Sequence, residues 1–246
     1  MGELRREAES RGVETHVLRV DEDAAELARA VNADALGAAG GDGSLGAVAA
    51  VAIDRGVPFV CVPFGTRNHF ARDVGLDPNN PVGALEAFAG DERRIDVGRV
   101  GDRVFVNNVS LGWYAQLVHR REAHRRRRRA LASARALWLV ARHRKSLRVS
   151  VDGAPVAARV LLVANNAYEL DLFDVGARSS LTEGRLHLYA AAGWLPATWE
   201  DRAGESFRID GPGPLPAAVD GEPVRLNPPL EFKIEPRALR VLVPRR

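Results

Sequence analysis

The order of strand and helix patterns over residues 13–89 constrains the fold more than any other feature of this 246-residue chain. Apolar or alternating runs predict strands, and amphipathic or alanine-rich runs between them predict helices. In chain order these elements fall at 13–20, 24–32, 33–39, 45–55, 57–62, 68–74 and 82–89. Strands that alternate with helices through short loops are typical of a parallel sheet covered by helices. We therefore predict a three-layer parallel α/β domain.

The pattern changes after about residue 91, where strands separated by turns replace the alternation. Residues 94–112 predict a hairpin that turns at Gly101-Asp102. Further short strands are predicted at 147–151, 156–164, 186–191, 206–210, 217–219, 224–226, 230–235 and 239–243. We predict an α/β domain over 1–93 and an antiparallel β-sandwich domain over 94–246. The second domain would carry a basic helical insertion near 115–145, and its last strand would pack back toward the first domain.

The composition indicates an ordinary globular protein, with 46% hydrophobic and 27% charged residues. The single cysteine, Cys61, excludes an internal disulfide framework and a multi-cysteine zinc site. No apolar run approaches the roughly 18–20 residues that span a bilayer. The charged N-terminus lacks the apolar core of a signal peptide, and we therefore expect a cytoplasmic protein.

A glycine-rich loop, Gly40-Gly41-Asp42-Gly43-Ser44, joins a predicted strand to a predicted helix. Such a loop lets the backbone approach an anion at a helix N-terminus, which favours phosphate. It is not a Walker A loop. Gly41, Gly43 and Gly46 satisfy GxGxxG, but the next strand lacks the acidic residue that a dinucleotide site needs. A tight turn in which Asp42 and Ser44 cap the helix is the structural alternative.

Two further polar turns are candidates for chemistry. Gly65, Thr66 and Asn68 follow the next strand, where they could contact a ligand or cap a helix. Asp220-Gly221-Glu222 forms an acidic turn that could accept a proton from an alcohol. The same VDG sequence recurs at Asp152-Gly153 without the second carboxylate, and there it predicts a plain hairpin.

Four segments together resemble the diacylglycerol kinase catalytic family. In chain order they read GGDGS, PFGTRNHFARDVGL, FVNNVSLG and AAVDGEPV. This family includes bacterial soluble lipid kinases and sphingosine kinases and is distantly similar to NAD kinases. The resemblance implies two domains with an active site in the cleft between them. It also implies a kinase that uses ATP and Mg²⁺ to phosphorylate a hydroxyl of diacylglycerol or a related lipid.

The resemblance also implies roles for individual residues. The nucleotide-binding residues would be Gly40, Gly41, Asp42, Gly43, Ser44, Leu45, Gly46, Gly65, Thr66 and Asn68. Glu222 would accept the proton, with Asp220 and Asp42 as the other catalytic carboxylates. A structural Mg²⁺ would be held in the β domain by Ser180, Glu183 and Arg185, where Glu183 replaces the usual aspartate.

The start of the sequence departs from this family, whose members usually open with a strand that ends in an Asn-Pro loop. This chain begins after that strand, so a truncated or degenerate form is one expectation. A second copy of the chain could then supply the missing pairing, which makes a homodimer a candidate. The alternatives are a NAD-kinase-like phosphotransferase and a catalytically dead paralogue that binds lipid or anionic membrane.

An arginine-rich stretch between His119 and Arg148 carries twelve Arg or Lys residues and one acid, Glu122. A basic amphipathic helix can lie on an anionic membrane, where a lipid substrate would be found. A solvated helix that packs its Leu and Trp face on the protein is the alternative. We expect no nucleic-acid partner, because no aromatic stacking platform accompanies the arginines.

Overall fold

The chain forms two compact units in a computed structural model. Unit 1 comprises Met1–Val97 with Arg237–Arg246, and unit 2 comprises Gly98–Pro236. The sequence placed this boundary at residue 93. The structure describes residues 2–65, 68–112, 147–170, 175–191 and 199–245. The predicted basic insertion at 115–145 therefore lies outside the described residues.

The elements of both units follow one another with short connections. In chain order they are α1 (Gly2–Ser10), α2 (Ala24–Ala30), β1 (Leu36–Gly40), α3 (Asp42–Arg55), β2 (Phe59–Pro63), α4 (His69–Asp73), a 3₁₀ helix (Gly83–Ala89), β3 (Asp91–Val100), β4 (Arg103–Phe105), β5 (Asn108–Gly112), β6 (Val149–Val151), β7 (Ala154–Val156), β8 (Val160–Asn165), β9 (Tyr168–Leu170), β10 (Val175–Arg178), β11 (Leu186–Ala191), β12 (Trp199–Gly204), β13 (Ser206–Asp210), β14 (Leu215–Val219), β15 (Glu222–Leu226) and β16 (Leu230–Val243). Among the helices of the described ranges, none combines the length and apolar character that a bilayer span requires.

Unit 1 is built on a parallel sheet. β1 pairs with β2 in a register that runs from Leu36↔Phe59 to Gly40↔Pro63. The end of β16 joins the same sheet, since Val241 pairs in parallel with Phe59. Every residue of β2 is buried, as expected for a strand covered on both faces. Because β1 and β2 are parallel and in register, their carboxyl ends lie at the same edge.

Helix α3 packs on this sheet through small and branched side chains. Its buried residues are Leu45, Gly46, Val48, Ala49, Val51 and Ala52. Gly56, in a left-handed conformation, ends the helix. The Arg55 guanidinium donates to the carbonyls of Ala28, Val31 and Ala33, at 2.9, 2.8 and 3.3 Å. This single side chain therefore satisfies the C-terminal carbonyls of α2 and fixes α2 against α3.

The predicted strand at 13–20 is absent, and this prediction is wrong. The segment carries no regular secondary structure, and Val17, Leu18 and Val20 are exposed. Alternating polarity stabilises a strand only where a neighbouring strand pairs its backbone and a core covers its apolar face. Within the described part of the sheet, β1 is the edge strand and pairs with β2 alone, so this segment is not paired with its other edge.

Unit 2 is an antiparallel β-sandwich. One sheet has the order β12-β11-β8-β5-β14-β15. In the other, β13 pairs with β6 and with the first part of β16, and β6 pairs with β7. The inner faces of both sheets contribute to one apolar cluster, in which Leu161 and Leu188 of the first sheet join Phe207 and Phe232 of the second. Burial of this shared core is the main stabilising term for unit 2.

Three strands of unit 2 were not predicted from the sequence, namely β9, β10 and β12. Strand β12 has the sequence WEDRAG, which lacks the apolar alternation of a typical strand. It lies at the edge of its sheet, where charged side chains are common because they discourage pairing with other chains.

Candidate active site

Two loops meet at the carboxyl edge of the sheet in unit 1. The first follows β1 and contains the glycine-rich sequence 40–44, and the second follows β2 and contains Phe64 and Gly65. The Phe64 N–H donates to the carbonyl oxygen of Gly40 at 3.0 Å. Ligands of open α/β sheets bind in crevices beyond the carboxyl ends of the strands. The sequence therefore brings its two most distinctive loops to the expected edge.

The contact between Gly41 and Gly65 explains why the second loop carries glycine. A Cβ atom on Gly65 would lie 2.4 Å from the Cα atom of Gly41 and 2.7 Å from Oδ1 of Asn68. These distances leave no room for any side chain at Gly65. A Cβ atom on Gly41 would lie 3.5 Å from the Cα atom of Gly65, which is an ordinary contact. Glycine at position 65 is thus required by the packing of the loops, whereas a Cβ atom on Gly41 would touch Gly65 without a clash.

The Asp42 carboxylate joins the first loop to helix α4. Its Oδ2 accepts a hydrogen bond from the His69 N–H at 3.1 Å, and its Oδ1 accepts one from the Phe70 N–H at 3.0 Å. Asp42 therefore satisfies amides in the first turn of α4, which Asn68 leaves without a side-chain cap. Its negative charge also lies at the positive end of this helix dipole.

Asn68 organises the second loop. It adopts a left-handed conformation, with φ 50°, and it is buried. Its Oδ1 accepts a hydrogen bond from the Gly65 N–H at 2.9 Å, and its amide donates to the carbonyls of Gly65 and Pro78. Asn68 was predicted to bind nucleotide, and the structure gives it contacts that hold the loop closed around Gly65.

The remaining predicted nucleotide-binding residues fall into three groups. Gly40 is the last residue of β1, and Gly43 and Ser44 lie in the first turn of α3, next to Gly41 and Asp42. Leu45 and Gly46 are buried inside α3, so the Leu45 side chain belongs to the core of unit 1. Thr66 lies outside the described residues.

The N-terminus of α3 has the features of a phosphate-binding site. Gly41 occupies the N-cap position and makes no side-chain capping bond. The 14 residues of the helix align their peptide dipoles toward this end. Backbone amides without a side-chain cap, beside a residue with no side chain, form a cradle that fits a phosphate group.

The acidic turn of unit 2 is a two-residue hairpin turn between β14 and β15. Asp220 and Gly221 both have positive φ, 47° and 88°, as a type I′ turn requires. The Asp220 carboxylate accepts hydrogen bonds from three backbone amides, those of Val106, Asn107 and Asn108, at 2.8, 2.8 and 3.0 Å. Asp220 is also buried. Its contacts fix the segment 106–108 against the turn.

The second VDG turn gives an internal comparison. Asp152 and Gly153 adopt the same pair of positive φ values, 50° and 81°. Asp152 accepts a single hydrogen bond there, from the Arg208 N–H at 2.8 Å, and this contact is exposed. An aspartate in this turn therefore reaches the backbone of a neighbouring strand in both hairpins. Glu222, which follows the turn in β15, is exposed.

A buried polar network around Asp220 was not found from the sequence. The Arg178 guanidinium donates to the carbonyls of Val106 and Asn165 and to Oδ1 of Asn107. The Asn165 amide donates to the Val106 carbonyl at 3.0 Å. The segment 106–108 is thus held through its amides by Asp220 and through its carbonyls by Arg178 and Asn165. Consecutive asparagines inside apolar strands, at 107–108 and 165–166, are the signal that could have indicated it.

In the turn predicted to hold a structural Mg²⁺, the one carboxylate contacts neighbouring protein groups. Glu183 Oε2 accepts the Ala167 N–H at 3.0 Å, and Glu183 Oε1 lies 3.0 Å from Nε2 of His187. Ser180 Oγ accepts the Thr182 N–H, and Arg185 contributes a cation. Among the three predicted ligands, Glu183 supplies the one carboxylate, and Mg²⁺ bound there would complete its shell with water. Within the described ranges, no group of three acidic, histidine or cysteine side chains is placed to hold a metal.

The two loops of unit 1 lie in a region that matches a known protein family. The profile of the diacylglycerol kinase catalytic domain matches residues 1–100, the region that carries both of them. The resemblance to the diacylglycerol kinase catalytic family is confirmed.

The curated relatives match different shares of the chain. A diacylglycerol kinase of Staphylococcus aureus is 36% identical over 96 residues, which covers 38% of this chain and 30% of that protein. A probable YegS-like lipid kinase of Pseudomonas fluorescens is 38% identical over 82 residues, covering 32% of this chain and 27% of the relative. A longer match of 238 residues, at 23% identity, to an uncharacterised Synechocystis protein covers 84% of this chain and 54% of that protein. The chain thus spans about half, or less, of the length of these relatives.

Solved structures extend the likeness to the whole chain at the level of fold. The crystal structure of a diacylglycerol kinase from Bacillus anthracis superposes with a TM-score of 0.68 at 14% sequence identity. The match covers 98% of this chain and 91% of that one. The predicted fold class, a parallel α/β domain followed by an antiparallel β-sandwich, is confirmed.

Proposed function

We propose that this protein is a lipid kinase that transfers the γ-phosphate of ATP to a hydroxyl group of diacylglycerol or a related lipid. The observation that carries the proposal is the locked pair of loops in unit 1, with its Gly41–Gly65 contact and its Asp42 bridge to α4. The match of residues 1–100 to the diacylglycerol kinase catalytic domain supports it. The names of the curated relatives do not favour a NAD-kinase-like activity or a catalytically dead binding protein.

The nucleotide phosphates would bind to the amides at the start of α3. Phosphoryl transfer depends mainly on positioning and on neutralising the charge of the phosphates. The glycine at the N-cap and the first turn of α3, which has no side-chain cap, suit both requirements. Asn68 and Gly65 would shape the opposite wall of this cradle by keeping the second loop closed.

Mg²⁺ would enter this site with the nucleotide and would neutralise phosphate charge when bound. Proteins usually hold nucleotide-bound Mg²⁺ through one or two carboxylates, and the phosphates and water complete its shell. Asp42 is the carboxylate in the glycine-rich loop that could serve this purpose. Each of its oxygens accepts one backbone hydrogen bond and keeps a second lone pair.

Glu222 is the residue that we propose as proton acceptor for the lipid hydroxyl. It is exposed, whereas the Asp220 carboxylate is occupied by three backbone amides. A general base must be reachable by its substrate, which favours the exposed Glu222 over the buried Asp220. Asp220 would act as a positioning residue that fixes the turn from which Glu222 extends.

A lipid substrate requires access to a membrane surface, and we keep the arginine-rich stretch 119–148 as the proposed peripheral contact. Its positive charge suits anionic lipids, and we propose no nucleic-acid partner for it. A cytoplasmic location at the inner face of the membrane would agree with this contact. Self-association into a homodimer remains a separate proposal, which analytical ultracentrifugation would test.

The test is transfer of labelled phosphate from ATP to vesicles that contain diacylglycerol, with Mg²⁺ present. We expect labelled lipid with the wild type and a loss of at least about 100-fold with Glu222→Gln, because a general base contributes about 10²–10⁴ in rate. Glu200→Gln is the matched control, since Glu200 is an exposed glutamate of the same unit. ATP binding by Glu222→Gln, measured by calorimetry, should equal that of the wild type.

Other outcomes would reject the proposal. Labelling of NAD⁺ instead of lipid would favour the NAD-kinase-like activity. ATP binding without transfer to any of diacylglycerol, ceramide or sphingosine vesicles would indicate a non-catalytic protein. Equal activity of Glu222→Gln and Glu200→Gln would remove Glu222 from the reaction while leaving the kinase itself in place.

A further inference from the structure

Strand β1 has an edge that lacks the usual protection against pairing with another chain. Within the described residues β1 pairs with β2 alone, so its other edge has no neighbouring strand. Proteins protect such edges with charged residues or proline. The edge strands of unit 2 follow this rule, since β12 carries three charged residues and β7 and β15 each carry a proline. The sequence of β1, Leu-Gly-Ala-Ala-Gly, contains neither, so its free edge favours the addition of a strand.

The segment 13–20 has the sequence of a strand but no strand beside it. Four of its eight residues are valine or threonine, which are typical of strands. Every residue from position 14 to position 20 is exposed. Val17 and Leu18 are 52% and 50% exposed, and Val20 is fully exposed. Large apolar side chains that are exposed together in one segment indicate an interaction surface. The chain therefore carries both a strand-forming segment without a partner and a strand edge without a neighbour.

We infer that two copies of this chain associate by exchanging these elements, so that the segment 13–20 of each copy adds a strand to the free edge of β1 in the other. Backbone hydrogen bonds provide the affinity when a strand is added to a sheet edge. The exchange is reciprocal, so both copies use the same two surfaces, as a closed two-fold dimer requires. The interface gives the proposed homodimer its contact surface, and it does not depend on the proposed kinase activity.

The side chains of the two elements are compatible with this pairing. Gly37 and Ala39 are the exposed residues of β1, and their small size leaves room for the valine and leucine side chains of an added strand. The segment 13–20 carries one acidic residue, Glu14, and one arginine, Arg19, whereas β1 carries no charge. The pairing therefore brings no excess charge of one sign together. A second copy is the occupant that supplies both missing partners at once.

Disulfide trapping between two variants of the full-length protein tests which elements meet. The Ala39→Cys protein is mixed with Val17→Cys, Leu18→Cys or Val20→Cys under mild oxidation, and a size tag on one variant identifies the mixed dimer. Opposed Cα atoms of neighbouring strands lie about 4.5–5.5 Å apart, within reach of a disulfide. We expect a mixed covalent dimer in at least one of the three mixtures. Ala154→Cys, in the exposed edge strand β7, is the control and should form none with Ala39→Cys. The native cysteine is buried and does not compete.

Sedimentation velocity measures the strength of the association. We expect a dimer for the wild type and a dimer Kd raised at least about 10-fold by Leu18→Glu and by Ala39→Lys, because each places a charge in the interface. Ala154→Glu is the matched control and should leave the Kd unchanged. Since the substituted side chains are exposed in the single chain, the circular dichroism spectra of all three variants should match that of the wild type.

Three results would overturn the inference. A wild-type protein that stays monomeric at every concentration tested would leave the edge of β1 to a partner other than this chain. A dimer that Ala39→Lys weakens and Leu18→Glu does not, with disulfides between two Ala39→Cys chains, would pair β1 with β1 of the second copy. A dimer that neither substitution weakens would place the interface elsewhere on the surface.

Discussion

Substitution of Gly65 by alanine isolates the contact that holds the two active-site loops together. The new Cβ atom would start 2.4 Å from the Cα atom of Gly41, whereas ordinary contacts begin at 3.4 Å. The loops must therefore separate by about 1 Å, which stretches the 3.0 Å hydrogen bond from Phe64 N–H to Gly40 O beyond useful length. Overpacking costs about 1–3 kcal/mol and the lost hydrogen bond about 1 kcal/mol.

The expected loss of about 2–4 kcal/mol corresponds to a fall in Tm of about 4–16 °C for a protein of this size. Thermal unfolding followed by circular dichroism measures it. Gly41→Ala is the matched control, because its Cβ atom meets the Cα atom of Gly65 at 3.5 Å and its backbone is extended. Gly41→Ala should change stability by less than about 0.5 kcal/mol. A Gly65→Ala protein as stable as Gly41→Ala would refute the proposed packing of the loops.

Three further predictions concern stability and reactivity. Asp220→Asn should lower the free energy of unfolding in urea by about 2–3 kcal/mol, and Asp152→Asn by less than about 1 kcal/mol, because Asp220 is buried and satisfies three amides where Asp152 satisfies one. Equal effects would contradict this ranking. Arg55→Ala should cost about 1–3 kcal/mol in the same assay, since three carbonyls lose their donor, and Arg55→Lys should recover only part of it. Burial and the nearby Asp42 carboxylate raise the pKa of the Cys61 thiol, so it should resist maleimide at neutral pH until denaturant unfolds β2. Prompt labelling of the native protein would contradict the buried position of Cys61.

The general architecture could be predicted because it depends on local patterns. The glycines of the segment 40–44 could be recognised in the sequence, because glycine is typical of positions where two backbones approach closely. The alternation of strands and helices likewise indicated the parallel sheet of unit 1. The prediction of a strand at 13–20 was wrong because strand formation also depends on residues elsewhere in the chain. The alternation of this segment is genuine, but a strand also needs a paired neighbour, and no local pattern reports whether one is present.

The roles of the acidic residues could not be predicted, because they depend on partners far away in the chain. Asp220 was expected to handle a proton, yet its carboxylate binds amides more than a hundred positions earlier, at 106–108. Glu183 was predicted to bind a metal, and the sequence did not indicate its contact with His187 or the link onward to Asp201, which requires the pairing of β11 with β12. An aspartate in a turn has the same local sequence whether it serves chemistry or structure, and only the fold distinguishes the two.

The hydrogen bonds from α4 to Asp42 make the amides of His69 and Phe70 natural reporters of events at the first loop. Any ligand that draws the Asp42 carboxylate toward itself weakens both bonds at once. The exchange of these two amide protons with deuterium should then accelerate, although neither residue need touch the ligand. A change in the charge at Asp42 would therefore be transmitted to a helix 27 positions further along the chain. The first loop and helix α4 are therefore coupled through the two hydrogen bonds to Asp42.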